Sequence, residues 1–204
     1  MTLHGSHNVD VLDNIAYDHF GHCFMLEDGG EKWNRFEGNL GFGTRSGILE
    51  SSDSESTTFW ITSPLTVMID NVAAGSNYTS GVGMWYLFPD DPVVLSLDKG
   101  FYGHLEAKHT PILEFRNNVA HSNGNAGLAF FRRLGEDHEI IDCSTYSPRV
   151  NRKDNSSEFQ PVEFNGFIGI LFHVAFFYIT FILKSIFLRL QEQEKKCHNP
   201  LHLG

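Results

Sequence analysis

The segment "MIDNVAAGSNYTSGVGMWYLF" (68–88) decides the reading of this chain. An apolar run meets Asp70-Asn71, a Val-Ala step follows, and a polar stretch ends at Gly83 before a second apolar run. Short apolar runs separated by Asn, Asp, Ser and Gly read as strands joined by tight corners. The same order recurs in "VLDNIAYDHFGHCFML" (11–26), "FEGNLGFGTRSGILE" (36–50) and "FRNNVAHSNGNAGLAFF" (115–131). Each segment has an apolar residue three before the asparagine (Val11, Phe36, Met68, Phe115) and a turn-former just before it (Asp13, Gly38, Asp70, Asn117). The asparagines are Asn14, Asn39, Asn71 and Asn118, and the later glycines are Gly21, Gly47, Gly83 and Gly127.

Self-similarity of this kind is the signature of a solenoid. Three short strands form each coil, and inward residues of successive coils stack into one long core. The asparagine is expected to hold a left-handed corner and to bond through its amide to the asparagine of the next coil, so the four form a structural ladder. They are spaced by 25, 32 and 47 residues. The excess over a bare coil of about 20–29 residues is assigned to loops at 51–58, 89–109 and 132–160. A fifth coil starts at "PVEFNGFIG", with Phe167 where the asparagine should be.

The 204 residues suffice for one domain and its core. Lys+Arg is 15 against Asp+Glu 25, a net charge of -10, which argues against nucleic acid as a partner. Gly 19 and Phe 18 favour many turns and short strands. Cys23, Cys143 and Cys197 form no CxxC pair, so no metal site is expected, and their disulfide state stays open. Asn77 and Asn155 head glycosylation triplets. No cofactor is implied.

From about Phe167 the chain is almost continuously apolar to Gln191. The expected domains are a β-helix at 1–166, an apolar segment at 167–190 that forms a transmembrane or capping helix, and a polar tail at 191–204. Lys184, Arg189, Lys195 and Lys196 would place the C-terminus of such a span in the cytosol. A misread or truncated end is the alternative.

Candidate chemistry concentrates in Asp18, His19, Glu27 and Asp28, with His121, Arg132 and Arg133 beside later strands. A carboxylate pair on an exposed face would suit glycoside hydrolysis, whereas a solvated charged face is the plainer reading. His22 is separated from His19 by the Gly21 corner, so the two need not converge. Cys23 reads as a buried apolar residue, and Trp60 and Trp85 read as inward core residues rather than sugar platforms.

Several blocks carry a specific resemblance: "NIAYDHFGHCFMLEDGGEKWNRFEGNLG", "TTFWITSPLTVMIDNVAAGS", "GMWYLFP" and "PILEFRNNVAHSNGNAGL". They resemble the right-handed parallel β-helix region shared by cell-migration-inducing hyaluronan-binding protein, transmembrane protein 2 and fibrocystin-L, over residues 3 to 168. The resemblance implies an all-β, right-handed parallel β-helix of about four to five coils, belonging to a larger extracellular or cell-surface protein. It implies a glycosaminoglycan or other glycan as partner, with a membrane reached through 167–190. It carries no catalytic residue onto this chain. The reading is therefore a carbohydrate-associated β-helix domain, with a polysaccharide-depolymerising enzyme or a structural spacer as alternatives.

Overall fold

In a computed structural model, the residues described are 1–49, 51–77, 79–89, 105–130, 132–134, 140–141, 146–151, 153, 157–160, 162–172 and 178–188. Cys143, Asn155, Cys197, parts of the assigned loops and the tail beyond 188 lie outside them.

The chain winds through three strands per coil. The first coil is β2 (Asp10–Leu12), β3 (Ile15–Phe20) and β4 (His22–Leu26), preceded by β1 (Thr2–Leu3). The next is β5 (Asn34–Glu37), β6 (Leu40–Arg45) and β7 (Thr57–Ile61). The third is β8 (Thr66–Ile69), β9 (Val72–Ala74) and β10 (Val82–Tyr86). The fourth is β11 (Glu114–Arg116), β12 (Val119–Asn123) and β13 (Ala126–Ala129). Equivalent strands stack in parallel. The first sheet is β2-β5-β8-β11, the second β3-β6-β9-β12 and the third β1-β4-β7-β10-β13. A short antiparallel pair, β14 (Arg133–Leu134) and β15 (Ile140–Ile141), lies in the last assigned loop. The fold is the right-handed parallel β-helix.

The lumen is filled unevenly, and the sequence dictates how. The first sheet sends in the register column Val11, Phe36, Met68, Phe115. The third sends in Phe24, Phe59 and Met84, with the Phe24 and Phe59 rings stacked at 4.9 Å. The second answers with Ala16, Gly41, Ala73, Ala120 and Gly169. Bulky residues on two walls demand small ones on the third. A Cβ on Gly41 would meet Thr58 Cγ2 at 2.4 Å.

Between the first and second sheets the left-handed conformation falls one residue before each asparagine. It is held by Asp13 (φ 55), Gly38 (φ 67), Asp70 (φ 54), Asn117 (φ 55) and Gly166 (φ 64). This corrects the expectation that the asparagines hold it. The corner residue turns the backbone, which frees the asparagine side chain to point into the coil.

Trp60 and Trp85 also need correction. Phe59, Ile61, Met84 and Tyr86 belong to the lumen core, whereas Trp60 and Trp85 form a second cluster with Val82, Leu87 and Ala129. Alternate residues of a strand face opposite ways, so both indoles lie on the outer side of the third sheet. They are buried there, with Ile140 packed against the cluster.

The expected C-terminal helix is replaced by strands. β16 (Val162–Phe172) runs through the 166/167 boundary, pairing with β11 by Arg116↔Asn165 and with β12 by Val119↔Ile168. β17 (Tyr178–Leu188) folds back antiparallel, from Val162↔Leu188 to Phe172↔Tyr178. Apolar content alone does not separate helix from strand. Phe, Ile, Tyr, Val and Thr favour strands, and β16 has a parallel template: Ile168 N–H donates to the Asn118 carbonyl at 3.0 Å. Among the described residues no helix is long and apolar enough to cross a membrane.

Candidate functional site

Two polar columns run inside the solenoid. In the first, Asn14 Nδ2 donates to Asn39 Oδ1, Asn39 Nδ2 to Asn71 Oδ1, and Asn71 Nδ2 to Asn118 Oδ1, each at 3.0 Å. Each acceptor oxygen also takes the backbone N–H of the asparagine before it. The second column lies near the next corner. His19 Nε2 meets Thr44 Oγ1 at 2.8 Å, Thr44 Oγ1 meets Thr58 Oγ1 at 2.9 Å, and Ser76 Oγ donates to Asn123 Oδ1 at 2.8 Å. Sequence reading missed this column. Its members differ in type, so no repeated letter marks it.

Asp18 and His19 therefore part company. Asp18 is exposed, left-handed (φ 53) and ion-paired with Arg45. His19 turns inward. Burial lowers its pKa first and the Met1 ammonium lowers it further, with Asp18 opposing. His121 is in register with Ala74, on the row that continues to Phe42 and Tyr17. With Ile15, Leu40, Val72, Val119 and Ile168 this row makes the outer face of the second sheet largely apolar. Tyr17 and Phe42 stack at 4.4 Å.

Glu27 and Asp28 follow β4, roughly 16 Å of strand away from Asp18 and His19. They belong to a different cluster. His4 Nε2 lies 2.9 Å from Glu27 Oε2, and its Nδ1 lies 3.5 Å from Asp28 Oδ1. Gly5 N–H donates to Asp28 Oδ2 at 2.5 Å. The loop then closes on Glu31, whose Oε1 accepts the Asp28 N–H at 2.9 Å. Glu31 is fully buried and its Oε2 has no partner among the described residues. Burial pushes its carboxyl up to about 7, opposed by the backbone N–H groups of this loop and reinforced by the Asp28 charge. Glu31 escaped the sequence reading because nothing in "EDGGEKW" separates a buried acid from two partly or fully paired ones.

Two further groups sit on the outer side of the third sheet. The His22 ring packs on Trp60 at 4.0 Å, and its Nε2 is 3.7 Å from Asp53 Oδ1. Burial holds His22 down at about 4 despite Asp53, so it is neutral at neutral pH. Arg132 pairs with Glu55, and its guanidinium lies 5.7 Å over the Trp85 ring. Arg133 opens β14. Cys23 is buried, its thiol pushed up to about 12 by desolvation. The Asn77 amide is part-buried and donates to Ser46 Oγ and to Ser80 Oγ. Among the described residues no set of three or more His, Cys, Asp or Glu could hold a metal ion.

The outer face of the first sheet is charged. Arg35 pairs with Glu37 and Arg116 with Glu114. Trp33 stands one residue before β5 with 46% exposure and φ 62.

Coils, ladder and corner geometry together define a parallel β-helix solenoid that presents differently surfaced outer faces. A family model described as CEMIP beta-helix matches residues 1–128, and the chain belongs to that family. It is 34% identical over 179 residues to the cell migration-inducing and hyaluronan-binding protein of Mus musculus, covering 76% of this chain and 12% of that protein. It is 33% identical over 187 residues to the cell surface hyaluronidase CEMIP2 of Homo sapiens, covering 79% of this chain and 13% of that protein. Fibrocystin-L of Mus musculus is 36% identical over 132 residues, 64% of this chain and 3% of that protein. The chain thus spans a small part of the relatives it matches.

Proposed function

We propose that this chain is an extracellular, carbohydrate-associated β-helix module of a hyaluronan-related or receptor-like surface protein. The observation that carries the reading is membership of a β-helix family whose similar proteins are named for hyaluronan binding or for hyaluronidase activity. Binding is favoured over turnover by the dispersal of the acid and base candidates. Asp18 is paired outward, His19 is bonded inward, and Glu27 and Asp28 belong to a separate loop.

Calorimetric titration of the full chain with hyaluronan oligosaccharides, alongside a panel of other glycans, tests the reading. Saturable binding of a glycan is expected. Binding to none of them would leave the structural-spacer reading standing.

A depolymerising enzyme is the second reading. Its candidate acid and base are Glu31 and Asp28, which are 0% and 2% exposed, so this reading requires the loop to open before the pair could meet a glycosidic bond. Loss of depolymerisation by a full-length relative on replacing the residue equivalent to Glu31 or Asp28, with folding intact, is its test.

A further inference from the structure

The three walls of the solenoid meet solvent differently. The first carries arginine–glutamate pairs, and the third is covered by its own chain around Trp60 and Trp85. Among the described residues, the outer side of the second stays open and nearly free of charge. Two rows cross it in register. One runs Ile15, Leu40, Val72, Val119, and the other Tyr17, Phe42, Ala74, His121. Ile15 is 74% exposed and Tyr17 66%, and Phe20 at the end of β3 is 69% exposed. The remaining row members are half-buried. The Lys, Arg, Asp and Glu residues of β3, β6, β9 and β12 are Asp18 and Arg45, which pair with each other.

An apolar patch this continuous marks a contact surface, and its chemistry narrows the occupant. A glycan needs several placed donors and acceptors, and these rows offer only the Tyr17 hydroxyl and the His121 ring. The chain carries a net charge of -10, so two copies repel over most of their surfaces and approach best where charge is missing. Stacked strands make a flat, gently twisted wall. The complement of such a wall is a second sheet, packed face to face at about 10 Å.

Side-chain size selects a second copy of this chain and its orientation. The first two coils carry bulky outer residues, Ile15 with Tyr17 and Leu40 with Phe42; the next two carry smaller ones, Val72 with Ala74 and Val119 with His121. A two-fold axis parallel to the strands, between the second and third coils, reverses the solenoid axis of the second copy. Tyr17 then faces the second copy's His121, and Phe42 faces its Ala74. Bulk meets hollow twice over, because a two-fold interface is self-complementary. An axis along the solenoid would instead set Tyr17 against Ile15, with bulk on bulk at one end and a gap at the other. The area suffices. Four strands about 4.8 Å apart, up to six residues long at about 3.3 Å, make a wall of roughly 20 by 20 Å. At about 150–250 Å² per ring, Tyr17 and Phe20 alone expose roughly 100–170 Å² each. Two such faces bury on the order of 1,000 Å², the lower bound for a specific interface.

We infer that the outer face of the second sheet is a homodimer interface, where two copies pack sheet against sheet about a two-fold axis parallel to the strands.

Sedimentation of the full chain from about 1 to about 200 µM is the test. Wild type is expected to pass from monomer to dimer, at the micromolar end of affinity for so small an area. Tyr17→Asp and His121→Lys should each weaken dimerisation roughly tenfold or more, with the circular dichroism spectrum unchanged. Mixed one to one, they should recover it. The new carboxylate of one then faces the new ammonium of the other, and the second Tyr17–His121 contact is native. Arg35→Gln, on the charged first sheet, should dimerise as wild type does. Tyr17→Ser replaces Tyr17→Asp if the latter does not fold. A wild type that stays monomeric at the highest concentration would overturn the interface. So would a dimer insensitive to both substitutions, or association that grows past the dimer. Failure of the mixture to recover would overturn the two-fold arrangement.

Discussion

Asn71 Nδ2 donates to Asn118 Oδ1 at 3.0 Å across 47 residues of chain, and both side chains are fully buried. The same amide donates to the Phe36 carbonyl at 2.8 Å, and its oxygen accepts from Asn39. Asn71→Ala therefore leaves the Asn39 N–H and amide without their acceptor, takes a donor from the Phe36 carbonyl, and takes one of two donors from Asn118 Oδ1, so both neighbouring coils lose bonds. At about 1–3 kcal/mol for a buried polar group left unpaired, the loss should exceed about 3 kcal/mol. Asn14 is exposed and begins the ladder, so Asn14→Ala should cost only about 1 kcal/mol. Urea unfolding of the two variants checks the ranking, and equal losses would mean that the ladder is not cooperative.

Glu31 supplies a pH dependence with a definite sign. Its folded carboxyl is pushed up to about 7 from the usual 4.5, so the folded state holds the proton more tightly than the unfolded chain does. Stability from this source is complete below about pH 4.5 and declines as pH rises towards and through 7. The upper bound is roughly 3 kcal/mol, and the step belongs to the Asp28–Glu31 pair rather than to one residue. Denaturant midpoints at intervals from pH 5 to 8 should fall for wild type. Glu31→Gln, which keeps the shape and cannot ionise, should remove this component. A wild-type slope that survives in Glu31→Gln would assign it to other groups.

The fold was legible because the corners restrict residue type. Asp13, Gly38, Asp70 and Asn117 are residues that tolerate φ near 54–67, and each precedes an asparagine whose side chain bonds to the asparagine of a neighbouring coil. Spacing then reveals coils despite long insertions. The side of the sheet taken by Trp60 and Trp85 was not legible, because "TTFWI" and "VGMWY" are buried on both faces and show no alternation. What covers the outer face includes Ile140, far along the chain. The tail misled for the same reason, since an unbroken apolar run has no period to read. Asp18 and His19 looked like one site because neighbours in sequence invite pairing, yet they face different ways.

Two glycines separate lumen from surface. A Cβ on Gly41 would strike Thr58 Cγ2 at 2.4 Å and press Cys23 Sγ and Phe24 Cε2 at 3.3 Å. Overpacking of this kind costs about 1–3 kcal/mol for alanine and more for valine. At Gly75 the nearest atom is Gly43 N at 3.8 Å, and the φ of 65 suits asparagine. Gly41→Val is expected to fail to fold or to melt far below wild type, and Gly75→Asn to stay within about 0.5 kcal/mol of it. Thermal melts of the pair test whether the second sheet's small row is a packing requirement.

Phe167 occupies the next position of the asparagine ladder, and two effects compete there. Phe167→Asn would offer an acceptor to the Asn118 N–H, as Asn118 does for Asn71, worth about 1 kcal/mol. It would also remove a ring that is 5% exposed and lies 5.7 Å from Phe115, a loss of about 3–5 kcal/mol for truncating a buried Phe. Burial wins by the larger magnitude, so the variant should be destabilised by about 2–4 kcal/mol. Phe167→Leu, which keeps most of the apolar volume and adds no amide, should lose less. If Phe167→Asn instead melts above wild type, continuation of the ladder outweighs the aromatic packing at the β11–β16 junction.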